Sequence, residues 1–214
     1  MLLGAMKTIL YIHGMGGGED SRIPSILNEW FGAHRPDVRV VVRTYDFNPD
    51  VAAGQIGGWY DELRPDLVIG ESLGSVHALA LRSRHEFPLL LVSPALNAPT
   101  RFRALRFLTM IPGVRPLLNR IYRPRKGERQ TIDFTYANMR AWPPHRAAAL
   151  AAAKLSGIHA FFGRRDHYRR YGVVSVKKWR RTFGPGTFEI YDGTHFMEET
   201  YLRRRLIPAI LKRI

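Results

Sequence analysis

Six short apolar runs punctuate the chain, at residues 8–12, 38–43, 67–69, 89–92, 158–162 and 187–191. Most are continuously apolar rather than alternating, the pattern of strands covered on both faces. Between them, apolar residues recur at helical spacing. Ile23, Ile26, Leu27 and Trp30 follow Ser21, a natural N-cap, with Pro24 tolerated in the first turn. Residues 51–63 predict a second helix, weakened by Gly54, Gly57 and Gly58, and 75–84 a third. The alanine-rich 146–155, a segment carrying Val173, Val174, Val176 and Trp179, and residues 196–213, which Pro208 should bend, complete the series. Strand alternating with helix predicts a parallel sheet with helices on both faces.

The regularity breaks between residues 95 and 144. This stretch is rich in Arg and Pro and shows no clear strand. Phe102, Leu105, Phe107, Leu108, Met110 and Ile111 alternate with Arg101, Arg103 and Arg106 until Pro112-Gly113 ends the run. Some 50 residues are too few for an independent core. The expected organisation is therefore a single domain over 1–214, in which 96–144 forms a basic, mostly helical insertion.

Composition narrows the chemistry. The chain has 214 residues and no cysteine, which removes disulfides, thiolate metal sites and cysteine nucleophiles. Neither a P-loop nor a dinucleotide fingerprint is present, and no metal-ligand spacing stands out, so no cofactor or metal is expected. The first residues lack the pattern of a signal peptide and no apolar run approaches 18 residues, which makes the cytoplasm the expected location. The net charge is +15, from 33 Lys and Arg against 18 Asp and Glu. Such a surface attracts anions, whether acidic metabolites, phospholipid headgroups or nucleic acid. The tracts at 177–181 and 203–205 fit solvated helix faces.

Candidate chemistry concentrates in glycine-bearing loops that follow strands. In an open parallel sheet, functional groups gather at the carboxyl ends of the strands. Four such loops are visible: His13 to Gly18, Gly70-Glu71-Ser72-Leu73-Gly74, Gly163-Arg164-Arg165-Asp166 and Asp192-Gly193-Thr194-His195. The second joins a strand to a helix across a G-x-S-x-G turn. There the glycines remove Cβ atoms that would clash, and Ser72 is held beside the positive end of the helix.

With Ser, Asp and His in that chain order, the sequence resembles the α/β-hydrolase superfamily, and within it the compact bacterial serine esterases that lack the first two strands of the full fold. The resemblance covers nearly the whole chain except 96–144. It implies a sheet of about six strands with helices on both faces and a helical cap insertion. It also implies Ser72 as nucleophile, His195 as general base and acid, and Asp166 as the group that orients the histidine. The backbone N–H groups of Met15 and Leu73 would form the oxyanion hole. Glu71 departs from the usual ring or aliphatic residue. Its carboxylate could raise the histidine's pKa, contact substrate, point into a polar cavity or pair with an arginine. Among rivals, Asp46 is a better second choice for the acid than Asp192, which shares a loop with His195. His13 sits at the right edge but in a position that sets the loop.

The implied activity is cleavage of a carboxylic ester or thioester through an acyl-enzyme. The alternative is a hydrolase-fold protein that uses its basic surface to hold nucleic acid or an acidic partner. The expected partner is a small-molecule substrate. A membrane surface or anionic ligand is compatible with the charge, and nucleic acid is less favoured. Nine basic residues and one acid, Glu128, lie between Arg101 and Arg129. If they select substrate, Arg101, Arg103 and Arg106 should favour an anionic acyl group, and salt should weaken the preference.

Overall fold

The computed structural model describes residues 6–121 and 129–214. Six parallel strands form one sheet in the order β2-β1-β3-β4-β5-β6. They are β1 (Lys7–Ile12), β2 (Val38–Val42), β3 (Leu67–Glu71), β4 (Leu89–Val92), β5 (Ile158–Gly163) and β6 (Phe188–Tyr191). The four inner strands are almost entirely buried. Period-2 geometry sends alternate residues to opposite faces. From β1, Leu10 and Ile12 enter one core with Val68 and Leu91, and Ile9 and Tyr11 enter the other with Ile69 and Val92.

The helices divide accordingly. α1 (Arg22–His34) and the C-terminal helix cover the Ile9 face. α2 (Pro49–Leu63), α3 (Gly74–Arg82), α4 (Ala98–Leu108), α6 (Tyr136–Leu150) and α7 (Val176–Phe183) cover the Leu10 face. α5 (Val114–Ile121) follows α4 and has no fully buried residue, with Leu118 partly buried against the Leu10-face core. α4, α5 and the first half of α6 occupy the stretch read as an insertion. Arg123, Arg125, Lys126 and Glu128, counted in its charge, lie outside the described residues.

Several boundaries differ from the sequence expectation, each for a physical reason. Asn48 caps α2 by accepting from the N–H groups of Asp50 and Val51, so Pro49 opens the helix two residues early. Ser21 occupies the N-cap of α1 without capping it, because its hydroxyl accepts from Gly18 N–H at 3.1 Å. The helix expected from residue 146 begins at Tyr136 and runs through Pro143 and Pro144. Each interior proline costs about 3 kcal/mol or more. Burial of Met139 and Trp142 against α3 and α4 offsets this. α7 starts at Val176 with Ser175 as its cap, leaving Val173 and Val174 in the preceding loop. The last helix starts at Glu199 and winds as π-helix over Leu202–Leu206 before Ile207–Leu211. That wider turn falls where Pro208 cannot supply an N–H, so the proline acts as a local change of winding.

Candidate active site

β3 ends in a reversal that only a narrow set of residues permits. Ser72 has φ +49°, in the left-handed region, so the turn holds a non-glycine residue in strained geometry. Backbone bonds on both sides lock it. Ser72 N–H donates to Val92 O at 2.9 Å, and Ser72 O accepts from Ser75 and Ala95. Gly74 lies so close to the carbonyl oxygens of Ile12 and His13 that a Cβ would overlap both, and a Cβ at Gly70 would crowd Ala78 and Leu91. The elbow glycines are therefore demanded by close approach of neighbouring chain.

Two other strand ends bring polar groups to Ser72. His195 follows β6 and Asp166 follows β5, and both are buried, at 2 % and 3 % exposure. His195 Nδ1 lies 2.8 Å from Asp166 Oδ2, and His195 Nε2 lies 2.8 Å from Ser72 Oγ. A carboxylate only accepts, so Nδ1 carries the proton and Nε2 offers its lone pair to the serine hydroxyl. The other carboxylate oxygen, Oδ1, accepts from Tyr168 N–H at 2.8 Å, and the Tyr168 ring packs edge-on against the imidazole. The runners-up are elsewhere. Asp46 accepts from Asn48 N–H, and Asp192 lies 3.6 Å from Arg165 with most of its side chain exposed.

Met15 and Leu73 both line the cavity above Ser72. Among the described residues, neither backbone N–H donates to another protein group. His13 shapes the Met15 loop. Its Nδ1 bonds Gly14 O at 2.7 Å, its ring stacks on Tyr45, and burial lowers its pKa to about 4. Sequence reasoning missed the other brace, Gln130, which is buried. Its Oε1 accepts from Gly16 N–H at 3.0 Å and its Nε2 donates to Tyr45 O and Asp46 O. No local pattern marks it, because it acts across 114 residues of sequence.

Glu71 faces the cavity and accepts from the Tyr11 hydroxyl at 2.7 Å. No arginine forms an ion pair with it among the described residues. Desolvation raises its pKa, against the opposing effects of the Tyr11 bond and the charges of His195 and Arg22. The sign of the linkage follows. An unfolded chain ionises this group near 4.5, so the native state is penalised increasingly as pH climbs from there through the raised native value. Glu71→Gln should therefore melt higher than wild type at pH 7–8, with the gap closing as pH falls towards 4. Thermal melts across that range check it, and a gap independent of pH would exclude burial as its cause.

The cavity has a volume of about 380 Å³ and is walled by apolar groups, among them Met15, Leu73, Ala95, Phe102, Val173 and Phe196. Arg22, Arg101 and Arg129 stand on its edge. Of Arg101, Arg103 and Arg106, only Arg101 reaches it; the Arg106 guanidinium lies over the Phe107 ring at 4.5 Å. Arg101 donates to Tyr171 O, and Arg129 pairs with Asp20. Arg22 donates to the carbonyls of Phe196 and Met197, anchoring the chain just after His195. No group of three or more His, Asp or Glu among the described residues is placed to hold a metal ion.

A model of the uncharacterised protein family UPF0227 matches residues 8–104. That span holds the Met15 loop and Ser72 and stops before Asp166 and His195. Among solved structures, Est1E from Butyrivibrio proteoclasticus with bound ferulic acid superposes with a TM-score of 0.68 at 13% identity, covering 98% of this chain and 90% of that one. The thioesterase domain from the curacin biosynthetic pathway gives 0.62 at 17% identity over 97% and 91%. A structure reported with LipS and LipT, two metagenome-derived lipolytic enzymes, gives 0.61 at 16% identity over 98% and 95%. The fold is that of the α/β-hydrolases.

Proposed function

We propose that the protein is a serine hydrolase cleaving a carboxylic ester or thioester through Ser72, His195 and Asp166. The observation that carries this is a single buried imidazole held 2.8 Å from both a strained serine and a carboxylate. In that arrangement Ser72 Oγ attacks the carbonyl carbon while His195 Nε2 takes its proton, and Asp166 stabilises the resulting imidazolium. The free N–H groups of Met15 and Leu73 receive the oxyanion; losing one such donor typically costs about 3–4 kcal/mol of transition-state stabilisation. Collapse expels the alcohol or thiol, which takes the proton from His195. Water then attacks the acyl-enzyme with His195 again as base. The apolar wall suits an acyl chain. Within the stretch 96–144, α4 serves as a cap over this cavity, contributing Ala98, Arg101 and Phe102 to its lining.

Fluorophosphonate labelling with peptide mapping tests nucleophile, activation and position together. One stoichiometric adduct on Ser72, lost on denaturation before labelling, is the expected result. An unlabelled folded protein, or an adduct elsewhere, would overturn the assignment.

A further inference from the structure

Exposed large apolar side chains are concentrated in one stretch of the chain. Of 14 large apolar side chains exposed among the described residues, six fall between residues 107 and 121: Phe107, Leu108, Met110, Ile111, Leu117 and Ile121. Each is between 51 and 66 % exposed. Leu117 and Ile121 are one turn apart and share a face of α5. Tyr136 extends the patch beside Phe107, with ring centroids 6.3 Å apart. Burying so many large apolar groups against a partner is favourable, and a patch of this kind marks an interaction surface.

The charge around it selects the partner. Residues 98–121 carry five arginines and no acid. Among the described residues only Arg115 of the five is in an ion pair, with Asp133. A second copy of this chain would set these cations against identical ones, on a molecule of net charge +15. An anionic bilayer offers what the surface lacks: an apolar interior for the side chains and phosphates for the guanidinium groups, whose stems can lie along the boundary.

We propose that α4 and α5 dock this protein on anionic membrane surfaces, inserting Phe107, Met110, Ile111 and their neighbours below the headgroups. Arg101 and Phe102, on the first turns of the same α4, line the catalytic cavity, so docking brings its edge towards the lipid. Delivery of membrane-dissolved esters into the cavity rests on the serine-hydrolase reading; docking itself does not.

The test is co-flotation with vesicles of phosphatidylcholine alone or with about a third phosphatidylglycerol, at low and at ~0.5 M salt. Wild type should float with the anionic vesicles at low salt and not with the neutral ones. Each basic residue near an anionic surface contributes roughly a fivefold factor, so Arg103→Ala with Arg120→Ala should weaken partitioning about 25-fold. The triple change Phe107→Ser, Met110→Ser and Ile111→Ser should weaken it at least as much, with the melting temperature and hydrolysis of a water-soluble ester retained. Ser72→Ala should float like wild type, which separates docking from catalysis. Lys177→Ala with Arg181→Ala, on α7, should change little. Equal loss from the α7 pair, binding indifferent to the serine substitutions, or no binding at all would overturn the proposal. Wild-type self-association abolished by the serine substitutions, without vesicle binding, would overturn it in favour of a self-interface.

Discussion

On the proposed mechanism, Ser72→Ala should lower kcat for short-chain aryl esters by roughly 10⁴–10⁶-fold, the range seen when a serine hydrolase loses its nucleophile. The fold should survive unchanged. Ser72 sits on a turn at the cavity, so removing Oγ opens no void in either core, and alanine needs the same φ of +49° that serine already adopts. What disappears is the hydroxyl 2.8 Å from His195 Nε2. Stability should be unchanged or slightly higher, because active-site groups are often held at some cost. Activity within a few-fold of wild type, on protein free of contaminating esterase, would remove Ser72 from the mechanism.

The second large effect is Asp166→Asn, expected to reduce kcat by about 10⁴. The mechanism of the loss is specific to the bonds at this site. Tyr168 N–H donates to Asp166 Oδ1, so an asparagine here keeps its carbonyl oxygen on that side and turns its NH₂ group towards His195. His195 Nδ1 must then accept instead of donate. The ring proton moves to Nε2, which faces Ser72 as a donor and cannot take its proton. Asp46→Asn and Asp192→Asn leave that tautomer alone and should stay within a few-fold of wild type. Esterase kinetics on the three variants decide the matter. A crippled Asp46→Asn beside an active Asp166→Asn would move the orienting acid to the end of β2.

How much of this was legible in the sequence depends on the range of the forces involved. Local signals worked where a feature is local. Short apolar runs marked all six strands, and glycine-bearing loops after them placed Ser72, Asp166 and His195 along one edge. Local signals failed where tertiary burial prevails. The helix expected from residue 146 starts at Tyr136 instead and passes through Pro143-Pro144, because Met139 and Trp142 are held in the core. Ser21 was a good N-cap by residue type, yet the Gly18 amide claims its hydroxyl. Gln130, Tyr168 and Arg22 were invisible for a different reason. Each braces the site through a backbone group, and backbone partners leave no trace in side-chain identity.

The order in which the chain supplies its strands has a consequence for synthesis. β1, β2 and β3 are contiguous in the sheet and early in sequence, so the Ser72 turn can form as soon as β4 is available to receive its N–H. The imidazole that accepts from Ser72 arrives 123 residues later, on the loop after the edge strand. Contacts that distant are the last and slowest to close. A ribosome-bound chain thus carries Ser72 without its imidazole neighbour until β6 and the loop after it have emerged. Loss of the last strand by truncation or fraying removes the loop that brings His195 within 2.8 Å of Ser72. On the proposed serine-hydrolase reading, turnover would therefore report completion of the entire sheet, and topology alone would keep a nascent or damaged copy switched off.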